Sequence, residues 1–123
     1  MFLLLLACSG SGDDTGKTTD TSTADPLCAD APIVTFETFG AAFMTENCQS
    51  CHASTSANRN GAPAEVVFDA GDGVVDKDVT WSWAERILAR ATSDPIGMPP
   101  MGGTTDDDRY RLTVWLTCNP AGT

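Results

Sequence analysis

Two cysteines and a histidine lie within five residues, in the order Cys48-Gln49-Ser50-Cys51-His52. This spacing puts both thiols on one side of a helical turn, with the histidine directly after them. Cys-x-x-Cys-His is typical of c-type haem attachment. Each thiol can add across one of the two haem vinyl groups, and the imidazole can then become the proximal iron ligand. The motif therefore predicts one covalently attached haem c, around which the rest of the chain has to fold.

Two other uses of the cysteine pair are less favoured. A dithiol redox centre usually lies on the strand-to-helix turn of a βαβ unit, whereas here a helical pattern precedes the motif and no strand alternation follows it. A zinc site needs about four ligands. His52 is the sole histidine of the chain, and the remaining cysteines, Cys8, Cys28 and Cys118, are far away in sequence.

The first eight residues form an apolar run that ends at a cysteine. The run is too short to cross a bilayer as a helix, and an apolar start of this kind is typical of a signal segment. Leu5-Leu6-Ala7-Cys8 resembles the bacterial lipoprotein signal, which implies cleavage before Cys8 and acylation of that cysteine. A secretory peptide with an incidental cysteine is the alternative.

Residues 9–31 contain mostly Gly, Ser, Thr and Asp. Such a segment cannot bury enough apolar surface to fold, so it predicts a flexible acidic tether. The folded domain is then expected over residues 32–119, with a short tail at 120–123. Export would place the protein where disulfides persist, and Cys28 and Cys118 are the two cysteines left over. We predict a disulfide between them, with two unpaired thiols as the alternative.

The chain carries a formal net charge of -10. This charge disfavours binding to nucleic acid, which needs positive patches. It permits protein partners with basic docking surfaces, because complementary charge speeds encounter.

Apolar residues recur at helical spacing in three segments, and we find no convincing strand. The first helix is predicted from about Thr35, as its cap, to Cys51, and Gly40 within it marks a close approach by another element. A turn-rich segment follows from Ala53 to about residue 80. The second helix is predicted from Ser82 to about Thr92, with a capping box between Ser82 and Glu85.

The third helix is predicted to begin near Thr105, with three aspartates in its first turn and a buried stripe of Leu112, Trp115 and Leu116. The domain should therefore be all-α, with three to four short helices wrapped around the haem.

Methionines are the main candidates for the second axial ligand, because no second histidine exists. Met44 lies on the first helix, where a core position suits it better. Met98 and Met101 remain, in a loop that two prolines stiffen. The choice between these two stays open on the residues alone.

The attachment motif after an aromatic helix, a Met-Pro-Pro loop and a last helix with Leu112 and Trp115 together resemble a class I cytochrome c domain. The resemblance covers about residues 32–119, and the chain also resembles the small single-haem domains that bacterial lipoproteins carry. It implies that Met98, which precedes the proline, is the axial ligand, with Met101 as runner-up. It also implies that Gly40 and Met44 cross Leu112 and Trp115, and that the Pro63 carbonyl accepts the proximal imidazole N–H.

The expected function is one-electron transfer by a monomeric, lipid-anchored cytochrome that faces the periplasm or the cell surface. An enzyme such as a peroxidase is not expected, because it needs an open iron face and commonly a second histidine. The alternatives are a ligand-binding sensor with a labile methionine and a surface lipoprotein in which haem is structural.

Overall fold

The computed structural model describes residues 25–119. The predicted signal segment with its lipidation residue Cys8, the predicted tether from residue 9 to residue 24 and the predicted tail 120–123 lie outside the described residues.

Residues 25–119 form six α-helices and one π-helical turn, without a strand; the sole β-type pairing in this range is an isolated bridge between Asp69 and Val75. This confirms the all-α prediction. The elements are α1 (Pro26–Ala29), π1 (Phe36–Gly40), α2 (Ala41–Asn47), α3 (Gln49–His52), α4 (Lys77–Ser82), α5 (Ala84–Ala91) and α6 (Asp106–Cys118).

The predicted first helix is present as three consecutive segments, π1, α2 and α3. Thr35 caps it as predicted: its side chain accepts the Thr38 N–H, and the Thr38 hydroxyl accepts the Thr35 N–H in return. The Thr35 carbonyl accepts the N–H groups of both Phe39 and Gly40, at 3.0 and 3.1 Å, which widens this turn into a π-helix. At Cys48 the backbone leaves helical geometry (φ −123°, ψ −40°), so a separate turn carries the attachment motif.

The core is built where π1 and α6 cross. An added Cβ at Gly40 would lie only 2.7 Å from a ring carbon of Trp115, so only glycine allows this approach. Trp115, Met44 and Leu112 are fully buried in one hydrophobic cluster. The close approach predicted at Gly40 is confirmed, and Trp115 is the side chain that makes it.

The second predicted helix begins later, and an additional helix precedes it. Helix α5 starts at Ala84 after Trp83, and among the described residues no side chain forms a cap hydrogen bond at its start. The predicted capping box is wrong, because the Ser82 hydroxyl donates to the Val79 carbonyl at 2.6 Å and closes the end of α4. Helix α4 lies partly within the predicted turn-rich segment, and the Asp76 side chain caps it by accepting the Val79 N–H at 2.9 Å.

The N-terminal boundary of the folded part lies earlier than predicted. Asp25 caps α1 by accepting the Leu27 N–H at 2.9 Å, and Pro26 occupies the first turn, where a missing N–H costs nothing. Cys28 on α1 is bonded to Cys118 at the end of α6, with 5.4 Å between their Cα atoms. The predicted disulfide is confirmed, and it makes the end of the predicted tether part of the fold.

The last helix begins as predicted, with Thr105 as its cap. The Thr105 side chain accepts the Asp108 N–H and the Asp108 carboxylate accepts the Thr105 N–H, which is a capping box. The aspartates of its first turn lie where the helix dipole favours negative charge. The predicted stripe of Leu112, Trp115 and Leu116 is buried.

The long loop between α3 and α4 is tied back to the attachment turn by Asp69. This carboxylate is buried and accepts the N–H groups of Ser54, at 2.7 Å, and of Gly71, at 2.8 Å, as well as the Ser54 hydroxyl. Burial alone would raise the pKa of Asp69, but the hydrogen bonds from Ser54, Gly71 and Gly73 outweigh it and lower the pKa to about 2. The ionised carboxylate therefore holds this loop together.

None of the helices found between residues 25 and 119 has the length and apolar character that a bilayer crossing requires.

The crossing at Gly40 leads to a stability prediction. Gly40→Ala should lower the free energy of unfolding by about 1–3 kcal/mol, because the new methyl group overpacks against Trp115. The higher helix propensity of alanine offsets at most about 1 kcal/mol of this loss. Urea unfolding measures the effect. Gly97→Ala is the control, since the nearest atom to its added Cβ is 3.9 Å away. A Gly40→Ala protein as stable as the wild type would contradict the predicted overpacking.

The Asp69 clamp leads to a prediction for acid pH. The folded-state pKa is about 2, below the ordinary value of 3.8, so the unfolded chain takes up this proton first as pH falls. The contribution of the Asp69 hydrogen bonds to the free energy of unfolding is fully present above about pH 4 and is lost between about pH 4 and pH 2. In denaturant titrations, Asp69→Asn should therefore differ most from the wild type near neutral pH, and the difference should shrink towards pH 2. The exposed Glu65→Gln is the control, and a difference that stays constant with pH would refute the clamp.

Candidate haem site

Helix α3 and the residue before it carry the attachment motif as one tight turn. The Cys48 carbonyl accepts the N–H groups of Cys51 at 3.2 Å and His52 at 3.0 Å. Both thiols are free and half-buried, and with His52 they line the same cavity. The local hydrogen bonds therefore bring the three predicted attachment residues to one surface.

The His52 ring is oriented by a hydrogen bond on one of its nitrogens. Nδ1 lies 2.9 Å from the carbonyl oxygen of Val66, and because a carbonyl can only accept, Nδ1 carries the proton. The other nitrogen, Nε2, then holds the lone pair that a metal needs. Phe68 packs against the ring with 5.0 Å between centroids, which limits its rotation.

The predicted role of Pro63 is wrong. Its carbonyl accepts the N–H of Val66 at 3.1 Å and an Arg59 guanidinium N–H at 2.8 Å, while the imidazole donates to Val66. The turn from Pro63 to Val66 brings the Val66 carbonyl, three residues later, to the position where the acceptor was expected. Pro63 still lines the cavity.

The environment of Cys48 argues against a dithiol redox centre. Burial, and then the proximity of Cys51, raises the pKa of the Cys48 thiol to about 12. A reactive dithiol needs a thiol whose pKa is lowered, because the thiolate is the nucleophile. Within the described range, no three side chains of the His, Cys, Asp and Glu types come together in a way that could hold a metal ion such as zinc.

The two candidate methionines differ in their surroundings. Met98 is half-buried and packs against the hydrophobic core, whereas Met101 is 97% exposed. The N–H groups of Gly97 and Met98 both donate to the Arg90 carbonyl, at 2.9 Å each, and so anchor the loop to α5. Both methionines line the cavity that His52 lines, so neither is excluded by position, but only Met98 is held by the core.

The cavity between these groups has a volume of about 510 Å³, within the usual range of about 300–1,000 Å³ for ligand sites. Its walls come from the attachment turn, α2, α5 and the loops after α3 and α5. Apolar side chains make up much of this lining: Phe43, Val66, Phe68, Trp83, Ile87 and Ala91.

These residues fit a covalently bound haem. Two free thiols, an imidazole with its Nδ1 proton already committed and a thioether share one apolar cavity. Apolar walls suit the flat body of the macrocycle, and they limit access of water to the metal.

The charge around this cavity differs from that of the whole chain. In the described part, the charged side chains that line it are Glu46 and three arginines, Arg59, Arg86 and Arg90. Arg86 also lies over the Trp83 ring, 5.9 Å from its centroid.

The hydrogen bonds of two side chains at the site, Asn60 and Arg59, could not be found from the attachment motif. The Asn60 amide donates to the Cys51 sulfur at 3.3 Å, and the Arg59 guanidinium donates to the carbonyls of Ala53, Pro63 and Val66. Asn-Arg-Asn-Gly at residues 58–61 signals a turn, but no local pattern indicates which sulfur or carbonyl its side chains reach.

Comparisons with known proteins agree with this geometry. The family model described as cytochrome c oxidase, cbb3-type, subunit III matches residues 37–116, well over half of the chain. Neither the curated proteins nor the solved structures gave a match. The matched range contains the attachment motif, both candidate methionines and the Gly40–Trp115 crossing. The chain therefore belongs to this cytochrome c family, whose class I-like domain implies covalently bound haem c and haem-based electron transfer.

Proposed function

We propose that this protein is a one-electron carrier with a single haem c, attached at Cys48 and Cys51 and ligated by His52 and Met98. The observation that carries the proposal is that these four side chains line one apolar cavity. When bound, the haem carries the electron by alternating its iron between the ferric and ferrous states.

The residues of the chain have separate roles in this proposal. His52 presents Nε2 as proximal ligand while the Val66 carbonyl holds its ring in place. Met98 supplies a soft thioether, which favours the ferrous state and raises the reduction potential. The Arg90 carbonyl limits the movement of the Met98 backbone, so little conformational entropy remains to be lost on ligation.

An electron carrier fits the site better than an enzyme does. If His52 and Met98 both ligated the haem iron, no open coordination position would remain for a substrate. His52 is also the sole histidine of the chain, so no second imidazole is available as a distal acid–base group.

We also propose that the protein is exported and anchored to a membrane through acylated Cys8. The Cys28–Cys118 disulfide supports export, since such bonds persist in oxidising compartments. The net charge of -10 supports redox partners with basic surfaces, because charge steers encounter at long range, before the cavity is reached.

Covalent attachment of haem can be tested by pigment extraction. Full-length protein that is exported from a host with a c-type haem attachment system should keep its pigment after extraction with acidified acetone. Its optical spectrum should change on addition of dithionite. A double variant, Cys48→Ser with Cys51→Ser, should release all pigment, whereas Ser50→Ala, in the same turn, should behave as the wild type. A wild-type protein without covalent pigment would refute the proposal.

The assignment of Met98 rather than Met101 as the methionine ligand can be tested by substitution of each. Met98→Ala should lower the reduction potential, with at least a tenfold change in the redox equilibrium constant, which is about 59 mV for one electron. It should also let carbon monoxide bind the ferrous protein at neutral pH. Met101→Ala should change neither property, because the Met101 side chain is almost fully exposed. The opposite result for the two variants would make Met101 the ligand, and ready carbon monoxide binding by the wild type would favour a sensor.

A further inference from the structure

The Arg59 guanidinium is held by three backbone carbonyls beside the attachment turn. Nη1 donates to the Ala53 oxygen at 2.8 Å, and Nη2 donates to the oxygens of Pro63, at 2.8 Å, and Val66, at 3.0 Å. Arg59 itself is half-buried and lines the haem cavity. Its side chain therefore joins the residue after His52 to the loop that supplies the imidazole's hydrogen-bond acceptor.

One of these carbonyls is shared. The Val66 oxygen accepts the His52 Nδ1–H at 2.9 Å and the Arg59 Nη2–H at 3.0 Å. A carbonyl oxygen has two lone pairs, so it can accept both bonds. Because a guanidinium is charged, its hydrogen bond draws electron density from the oxygen more strongly than a neutral donor does. The Val66 oxygen is then a weaker acceptor for the imidazole than an unshared carbonyl would be.

Among residues 25–119, no carboxylate forms an ion pair with the Arg59 guanidinium. Its hydrogen-bond partners are neutral carbonyls, and the ion pairs found between residues 25 and 119 involve Arg109 and Arg111 instead. The Arg59 Nε is buried and has no partner within the described range. A cation that is partly withdrawn from solvent acts on its surroundings with less screening than an exposed one.

We propose that Arg59 is a positioning residue that sets the donor strength of the proximal imidazole through the shared Val66 carbonyl. This inference rests on the proposed function, in which His52 ligates the haem iron. A weaker bond from Nδ1–H leaves the imidazole less anionic, so it stabilises the ferric state less. The positive charge of Arg59 acts in the same direction, since it disfavours the more positive oxidation state. Both effects raise the reduction potential.

The test compares reduction potentials of the haem-loaded, full-length protein. Arg59→Gln should lower the potential, with about a tenfold change in the redox equilibrium constant, which is about 59 mV for one electron. Arg59→Lys should give a smaller fall, because lysine keeps the charge but cannot reproduce the guanidinium fork. Arg86→Gln is the matched control: Arg86 lines the same cavity and carries the same charge, but within residues 25–119 the side chains bonded to the Val66 oxygen are those of His52 and Arg59. Its substitution should shift the potential less than Arg59→Gln does.

A second measurement separates tuning from a purely structural role. In the ferrous protein, the proton NMR signal of His52 Nδ1–H should move downfield in Arg59→Gln, because the unshared Val66 carbonyl accepts that proton more strongly. If Arg59→Gln lowers the thermal stability but changes neither the potential nor the Nδ1–H signal, Arg59 only stabilises the loop, and the proposal is overturned. Equal potential shifts in Arg59→Gln and Arg86→Gln would also overturn it, since charge alone would then explain them. If Arg59→Gln does not take up haem, Arg59→Lys decides: it should lower the potential and move the Nδ1–H signal downfield, and wild-type values of both would overturn the proposal.

Failure of the proposed function has a different signature. In that case the wild-type protein itself shows no covalent pigment or no reversible one-electron titration, whatever residue 59 is.

Discussion

The hydrogen bond between His52 and the Val66 carbonyl is the constraint on which the site depends. It assigns the proton of the imidazole to Nδ1 and so leaves Nε2 for a metal. It also joins two parts of the chain that are 14 residues apart, so the ring can keep its orientation only while the intervening loop keeps its path. The Asp69 carboxylate, which holds Ser54, and the backbone bond from Phe68 to the His52 carbonyl maintain that path. The orientation of the His52 ring thus depends on the loop as much as on the attachment turn.

The core supports the site from the other side. Gly40 lets π1 approach Trp115 on α6, and Trp115 also lies within 6.4 Å of the ring centroids of Phe36 and Trp81. Met44 lies on α2 and Cys48 follows the end of that helix, and their sulfur atoms are 3.8 Å apart. A shift at the crossing would therefore reach the Cys48 thiol through its contact with the Met44 sulfur. Packing at α6 and attachment at Cys48 are mechanically coupled.

Features with local causes could be predicted from the sequence, and features with non-local causes could not. The turn that carries Cys48, Cys51 and His52, the Thr35 and Thr105 caps and the close approach at Gly40 each follow from a pattern within a few residues, and the disulfide follows from the small number of cysteines. The acceptor of the imidazole could not be predicted in this way. Whether the Pro63 or the Val66 carbonyl accepts the imidazole N–H depends on the path of the turn over residues 63–66. Arg59 holds that turn by hydrogen bonds to both carbonyls. Likewise, Asp25 and Pro26 signal a short helix, but the bond from Cys28 to Cys118 and the packing of Leu27 against the core explain why so short a helix persists.

The position of that disulfide has a mechanical consequence. It holds the point where the chain enters the fold and the point where α6 ends within 5.4 Å of each other, measured between Cα atoms. Tension applied to the chain before α1 or after α6 would pass through this disulfide, which joins α1 to the last turn of α6. A load applied at these two points is then carried by a covalent bond before it reaches the crossing of Gly40 and Trp115, on which the position of Cys48 depends.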